Sequence, residues 1–236
     1  MLAGHPAEPR WHEVVAEANR AMSAAYAACH FSPNQKKHRR GDFATLAQGF
    51  SYGGGQKTPG RIAHTSRHEK VLVGLCSNPA IRRIAGFGNS MLATYAPRIY
   101  HDMGGKLKAL LDRHPSLWPP FPNSMYPATS FNFGPATICR EHTDSQNDPC
   151  NWCHIAALGD YDPNCGGHLR RMSLTQYCAG GLLRWVECGF RTVEELAAQD
   201  SEGHEAFREA LKHRVEERVQ LFSDVHGLAN DMRAHM

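Results

Sequence analysis

No run in this chain of 236 residues is long and apolar enough to suggest a membrane span. Its longest aliphatic stretches are of the length of VLVGL, Val71 to Leu75, against the roughly 20 apolar residues a spanning helix needs. The opening MLAGHPAEPRWHE has no apolar h-region, so no signal peptide is expected. Eight cysteines are too few for the disulfide framework of a small secreted domain, and their thiols are expected to be reduced. Neither sign of charge is in marked excess. A formal net charge of +3 permits a nucleic-acid partner without requiring one. No internal repeat is visible. The expected setting is the nucleus or cytoplasm, with no membrane partner and no secretion. The glycine-rich SYGGGQKTPGR, Ser51 to Arg61, also lacks what a phosphate loop requires, because Gln56 rather than glycine precedes Lys57-Thr58. A close-packed turn remains.

An apolar content of 42% with 21% charged residues is that of a chain that folds around a core. Trp11, Val14, Val15, Ala18, Met22, Ala25 and Cys29 fall on one helical face, which predicts a first helix over Trp11 to Cys29. The basic run KKHRRGDF follows, either a solvated linker or a phosphate-contacting patch through Lys36, Lys37, Arg39 and Arg40. Lys70 to His114 is helical in pattern, interrupted by Pro79, Pro97 and Gly104-Gly105. The β-branched and aromatic SFNFGPATICR reads as two short strands, and NWCHIAALGDYDP and RMSLTQYCAGGLLRWV as further ones. Thr192 and Glu195 form a capping box that opens a helix. Phe207, Leu211, Val215, Val219 and Phe222 recur at helical spacing in the tail. Helices, then strands, then helices predict an α+β protein with a single antiparallel sheet. The expected divisions are an N-terminal helix and basic linker over 1–50, the strand-bearing domain over 51–191 and C-terminal helices over 192–236.

The chemistry concentrates in REHTDSQN, Arg140 to Asn147. On a strand, His142 and Asp144 would project from the same face, because side chains repeat every two residues. An imidazole and a carboxylate so placed are two thirds of the facial triad of non-haem iron(II) oxygenases. A chance surface pair is the plain alternative. Downstream, the Arg171 guanidinium would fork onto the distal carboxylate of 2-oxoglutarate, assisted by the Ser173 hydroxyl. The plain alternative for Arg171 is a strand-edge charge.

SFNFGP, HTDSQN, NWCHIAALGDYDP, GGHL, RMSLTQYCAGGLLRW and GFRTVEEL, in that order over roughly residues 50 to 195, resemble the fungal members of the TET/JBP dioxygenases. The upstream GGGQ…PG and RRIAGFGNSM segments resemble the same group. The resemblance implies a double-stranded β-helix, a jelly-roll-like core, and Fe(II) with 2-oxoglutarate as co-substrate. It implies DNA carrying a methylated base as partner and oxidation of that methyl group as the activity. By position it makes His142 and Asp144 iron ligands and Arg171 and Ser173 the co-substrate anchors. Asn147 would meet the target base through its amide, and Tyr177 would stack on the flipped base. A turn role for Asn147 and core packing for Tyr177 are the alternatives.

One family segment is missing. The distal histidine ligand is expected about ten residues before the arginine, where Tyr161 stands; between Asp144 and Arg171 the only histidines are His154 and His168, both within other family segments. Ser130 to Val186 is also shorter than the roughly 60–80 residues that eight strands and their turns require. The expectation is therefore an incomplete β-helix with activity low or lost. His213 or His226 would be the stand-in ligands available in the tail. A rival metal reading takes Cys150-x-x-Cys153 with Cys165-x-x-His168 as a tetrahedral zinc set in a binding module. A catalytically inactive DNA-binding remnant is a third.

Overall fold

The computed structural model describes residues 4–134, 137–141, 148, 150–159 and 172–234. The apolar repeat at the N-terminus becomes helix α1, Trp11–Cys29, which buries Val14, Ala18, Met22, Ala25 and Cys29. Two prolines then set where the next helices begin. Pro79 opens α3, Pro79–Tyr95, and Pro97 opens α4, Pro97–Arg113, while α2, Ser66–Ser77, ends just before Asn78. Proline suits the first turn of a helix, where its missing N–H has no partner to lose. Asn78 accepts from the backbone N–H groups of Ala80 and Ile81 and so caps α3. Gly104-Gly105, expected as a break, lies inside α4; Ile99, Met103, Leu107 and Leu110 bury a continuous stripe on this helix, and that burial outweighs the propensity loss at two glycines.

Among the described residues, five antiparallel strands form one sheet: β1 (Ala44–Ser51), β2 (Gly60–Arg61), β3 (Ala128–Phe133), β4 (His154–Leu158) and β5 (Met172–Tyr177), in the order β2-β1-β3-β5-β4. The chain is thus α+β, as its pattern predicts. β1 is a strand the sequence pattern does not announce, since ATLAQGFS contains Gln48 and Gly49. Gly49 has a positive φ of 118°, and a Cβ there would lie 2.1 Å from the Pro127 carbonyl oxygen, so only glycine allows β1 to lie this close to β3. Of the two strands expected in SFNFGPATICR, β3 is the first; residues 137–140 carry no strand. The LLRW expected as strand is helical: α5 runs Gly180–Glu187 and buries Leu182, Leu183 and Trp185. Those three positions fit the face of a short buried helix as well as a strand, and packing decides.

The register separates the two faces of the sheet. Leu46, Phe131, Leu174 and Ala156 form one cross-strand row, and Thr45, Asn132, Ser173 and Ala157 the adjacent one. Leu46, Phe131 and Leu174 belong to the core that α1, α2 and α3 build over the first face, with Ala156 packed against it. A second apolar cluster joins Phe50, Tyr126 and Cys178 to α4 and α5. The row Thr45–Asn132–Ser173 belongs to neither.

The C-terminal third is helical: α6 (Val193–Gln199), α7 (Ser201–Val219) and α8 (Leu228–Ala234). The capping box at Thr192 and Glu195 is formed in both directions. Helix α7 is turned relative to expectation. Its apolar repeat faces outward, with Leu211 40% and Val215 57% exposed, whereas Arg218 is buried. The reason is electrostatic and lies in the contacts that Arg214 and Arg218 make.

Candidate functional site

Strand β5 carries two of the residues expected at the site. Ser173 and Tyr177 lie four residues apart on one strand and so share a face. It is the face not covered by α1, α2 and α3. Ser173 is fully buried and Tyr177 half-buried. A residue the sequence did not single out lies between the strands: Asn132 of β3, directly opposite Ser173. Its Nδ2 donates to the Ser173 Oγ at 2.9 Å and, at 3.5 Å, to the Thr175 Oγ1. Its Oδ1 accepts from the Thr45 hydroxyl at 2.9 Å. A polar ladder therefore runs across β1, β3 and β5. Only the strand register brings these residues together; they are 41 and 87 positions apart in the chain.

His142, Asp144, Asn147 and Arg171 lie outside the described residues, as do Cys165 and His168. The anchors beside the His-x-Asp segment are described. Before it, the Arg140 backbone N–H donates to the Arg40 carbonyl at 2.7 Å, and its guanidinium pairs with Asp42 at 2.9 Å. After it, Asp148 is held by helix α7. Its carboxylate, with no exposed side-chain surface, accepts from Arg214 Nη2 at 3.0 Å and Arg218 Nε at 2.9 Å. These pairs extend into a ring. Arg218 also reaches Asp102; Lys106 pairs with Asp102 at 2.8 Å and with Glu187 at 2.9 Å; Arg214 pairs with Glu187 at 2.8 Å. Three carboxylates and three cations thus alternate around a closed circuit that ties α4, α5 and α7 to Asp148. Burial acts to raise the Asp148 pKa, but the hydrogen bonds from Arg218 and Arg214 outweigh it and hold the group at about 2. This explains the turn of α7: two arginines are drawn inward by a buried carboxylate, and the apolar repeat is left on the flank.

Comparison with protein families, with curated proteins and with solved structures finds no match.

Of the four residues in the zinc arrangement, Cys150 and Cys153 are described. Cys150 lies in the second apolar cluster at 1% exposure, and its thiol donates to Asp148 Oδ1 at 3.2 Å. Burial, reinforced by that bond, pushes the thiol up to about 12. No disulfide joins any of the seven described cysteines. Among the described residues no group of three or more His, Cys, Asp or Glu side chains is placed to hold a metal ion, and no helix is long and apolar enough to cross a membrane. Of the basic run, Lys37 and Arg39 are exposed and Lys36 and Arg40 half-buried. The Lys36 ammonium lies 5.5 Å from the centre of the Tyr26 ring. His213 lies on the exposed side of α7, paired with Glu216 at 3.3 Å. His154 is on the helix-covered face of the sheet, where its Nδ1–H donates to Gln176 Oε1 at 2.7 Å. Burial lowers its pKa and keeps the ring neutral.

Proposed function

We propose that this chain is built on the plan of a TET/JBP-type iron(II)- and 2-oxoglutarate-dependent dioxygenase acting on a methylated base in DNA. In this reading the five-stranded sheet is part of an incomplete double-stranded β-helix. The observation that carries it is the shared face of Ser173 and Tyr177. Of the residues the resemblance assigns to co-substrate and base, these two are described, and they fall together on the sheet face left open by the helical core, beside the buried polar ladder of Asn132. A jelly-roll site would need such a face, polar at its floor and flanked by an aromatic.

The residues divide the work by chemical type. His142 and Asp144 would hold the iron, which with the keto acid supplies the oxidising chemistry when bound. Arg171 and Ser173 would hold the distal carboxylate, the first by a charge-assisted fork and the second by its hydroxyl. Asn147 and Tyr177 would meet the base. Ser173 fits this role, being a hydroxyl of fixed position in a place shielded from water, where a hydrogen bond to a carboxylate is strong. With the distal histidine absent, binding and not turnover is the informative readout. Anaerobic addition of ferrous iron and 2-oxoglutarate to the full chain is expected to give a weak visible charge-transfer band that His142→Ala abolishes. No band and no calorimetric binding of 2-oxoglutarate would remove the reading. Mass spectrometry of a duplex containing a methylated base is expected to show little or no oxidation.

A further inference from the structure

A second polar system lies on the opposite face of the sheet from Ser173 and Tyr177. Gln48 of β1 shares the helix-covered face with Leu46, two residues before it. Its Nε2 meets the Glu69 Oε1 of α2 at 3.5 Å, and the same oxygen accepts from the Arg61 Nη2 at 3.1 Å. A carboxylate only accepts, so the nitrogen end of the Gln48 amide is the end that faces it. The carbonyl end, Oε1, is buried and has no partner among the described residues, in a residue only 6% exposed. Thr129, directly opposite on β3, has a buried hydroxyl that is itself unpaired and so does not supply the bond. A buried acceptor without a donor costs stability until something supplies one.

Gln48 lines a cleft of about 540 Å³, a size typical of small-molecule sites. Arg61, Arg82 and Trp118 line the same cleft. The Arg61 guanidinium lies 3.6 Å from the centre of the Trp118 ring, and Trp118 is 51% exposed. Arg82 is exposed and pairs with no carboxylate among the described residues. A second cleft, of about 380 Å³, shares Arg82, Pro122 and Asn123 with the first. A buried acceptor, an aromatic plate and a guanidinium with no counter-ion thus border one space. A simple anion uses only the last of these. A ligand that uses all three is planar, has an N–H donor on its edge and carries an anionic group.

We infer that this cleft binds a nucleotide, its base against Trp118, an N–H of the base edge given to Gln48 Oε1 and its phosphate on Arg82. Glu69 touches none of the ligand; it holds the Gln48 amide and the Arg61 guanidinium in place. The inference does not rest on the keto-acid reading, whose residues Ser173 and Tyr177 lie on the other face. The nucleotide has two sources, a free mononucleotide or one unit of a single strand.

The test is titration of adenosine 5′-monophosphate into the full chain, without iron or keto acid, followed by tryptophan fluorescence and calorimetry. Ribose 5-phosphate and a single strand of about ten nucleotides are the other two probes. The monophosphate is expected to quench part of the emission and to bind about 10-fold more tightly than ribose 5-phosphate. Trp118→Ala is expected to weaken it about 10-fold, and Arg82→Gln about 3- to 10-fold with a shallower dependence on salt. Both positions are exposed, so neither variant threatens folding. Gln48→Met keeps the length of the side chain and removes the acceptor. It is expected to weaken the nucleotide about 5-fold and to leave ribose 5-phosphate unchanged, a selectivity that a merely structural loss would not produce. A strand that binds more tightly than the monophosphate, with the same response to the variants, makes nucleic acid the source; equal affinity makes it the free nucleotide. Equal binding of ribose 5-phosphate and the monophosphate ends the proposal. So does nucleotide binding that Trp118→Ala and Arg82→Gln both retain in full, or a wild-type chain that binds neither monophosphate nor strand. Each of these failures leaves the keto-acid reading standing.

Discussion

Replacing Asp148 with asparagine tests the charge ring directly. The substitution removes one carboxylate but leaves Arg214 and Arg218 in place, with side chains only 13% and 7% exposed. Breaking a buried pair from one side typically costs about 3–5 kcal/mol, because the remaining charge has lost its counter-ion. Asparagine can still accept one hydrogen bond, so the low end, about 3 kcal/mol, is expected. A separate figure comes from the proton. The carboxyl moves from an ordinary 3.8 to about 2, and roughly two pH units at about 1.4 kcal/mol each give on the order of 2–3 kcal/mol. The two figures agree in size. Because the folded-state group titrates below the unfolded one, this stabilisation is complete above about pH 4 and is lost as the pH falls through about 2. Urea denaturation followed by circular dichroism at several pH values measures it. Asp148→Asn is expected to be less stable than wild type by about 3 kcal/mol at pH 7, with the gap shrinking as the pH falls from about 4 toward 2. A gap below about 1 kcal/mol at pH 7, or one that does not change down to the acid limit, would refute the reasoning.

Three further outcomes follow from the packing. A Cβ at Gly88 would lie 2.0 Å from the His154 Nδ1, so Gly88→Ala must push the ring off Gln176; a loss of about 1–3 kcal/mol is expected in thermal or urea denaturation, and an unchanged midpoint would count against the contact. His154 is kept neutral by burial, so its folded-state pKa lies below its unfolded value of 6.5; its contribution is complete above that value and is lost as the pH falls through the lower folded one, and His154→Gln is expected to flatten the stability profile between pH 7 and 5. Thr192→Ala removes the hydroxyl that accepts from the Glu195 backbone N–H at 3.0 Å; a loss of about 0.5–2 kcal/mol is expected, with hydrogen exchange faster in α6 than in the sheet.

The sequence is most legible where a local rule acts alone. The periodic apolar face of α1 gives its two ends, and the capping box at Thr192 gives the start of α6, because each depends only on neighbours in the chain. Tertiary packing hides the rest. β1 is polar at Gln48 and flexible at Gly49, and is a strand because β3 lies alongside it. The tail's apolar repeat predicts a buried face on α7, whereas a carboxylate 66 positions from Arg214 turns the helix over. At the site, the motif residues Ser173 and Tyr177 are readable as a period-two pair on a strand. Asn132 is not: SFNF gives its side-chain direction, but its partner Ser173 is known only from the register between β3 and β5. An alternating polar residue inside an aromatic strand is the one signal that could have marked it.

The inward arginines of α7 make Asp148 a residue whose acid–base character is decided about 70 positions away. Shortened by its last two helices, the chain would keep the β-sheet and its α1–α3 cover, yet a carboxyl enclosed beside Cys150 would have lost both guanidinium neighbours. The pull that holds its proton affinity down would be lost with them. The C-terminal third is therefore not an appendage: it fixes an anion at the residue that follows the His-x-Asp stretch.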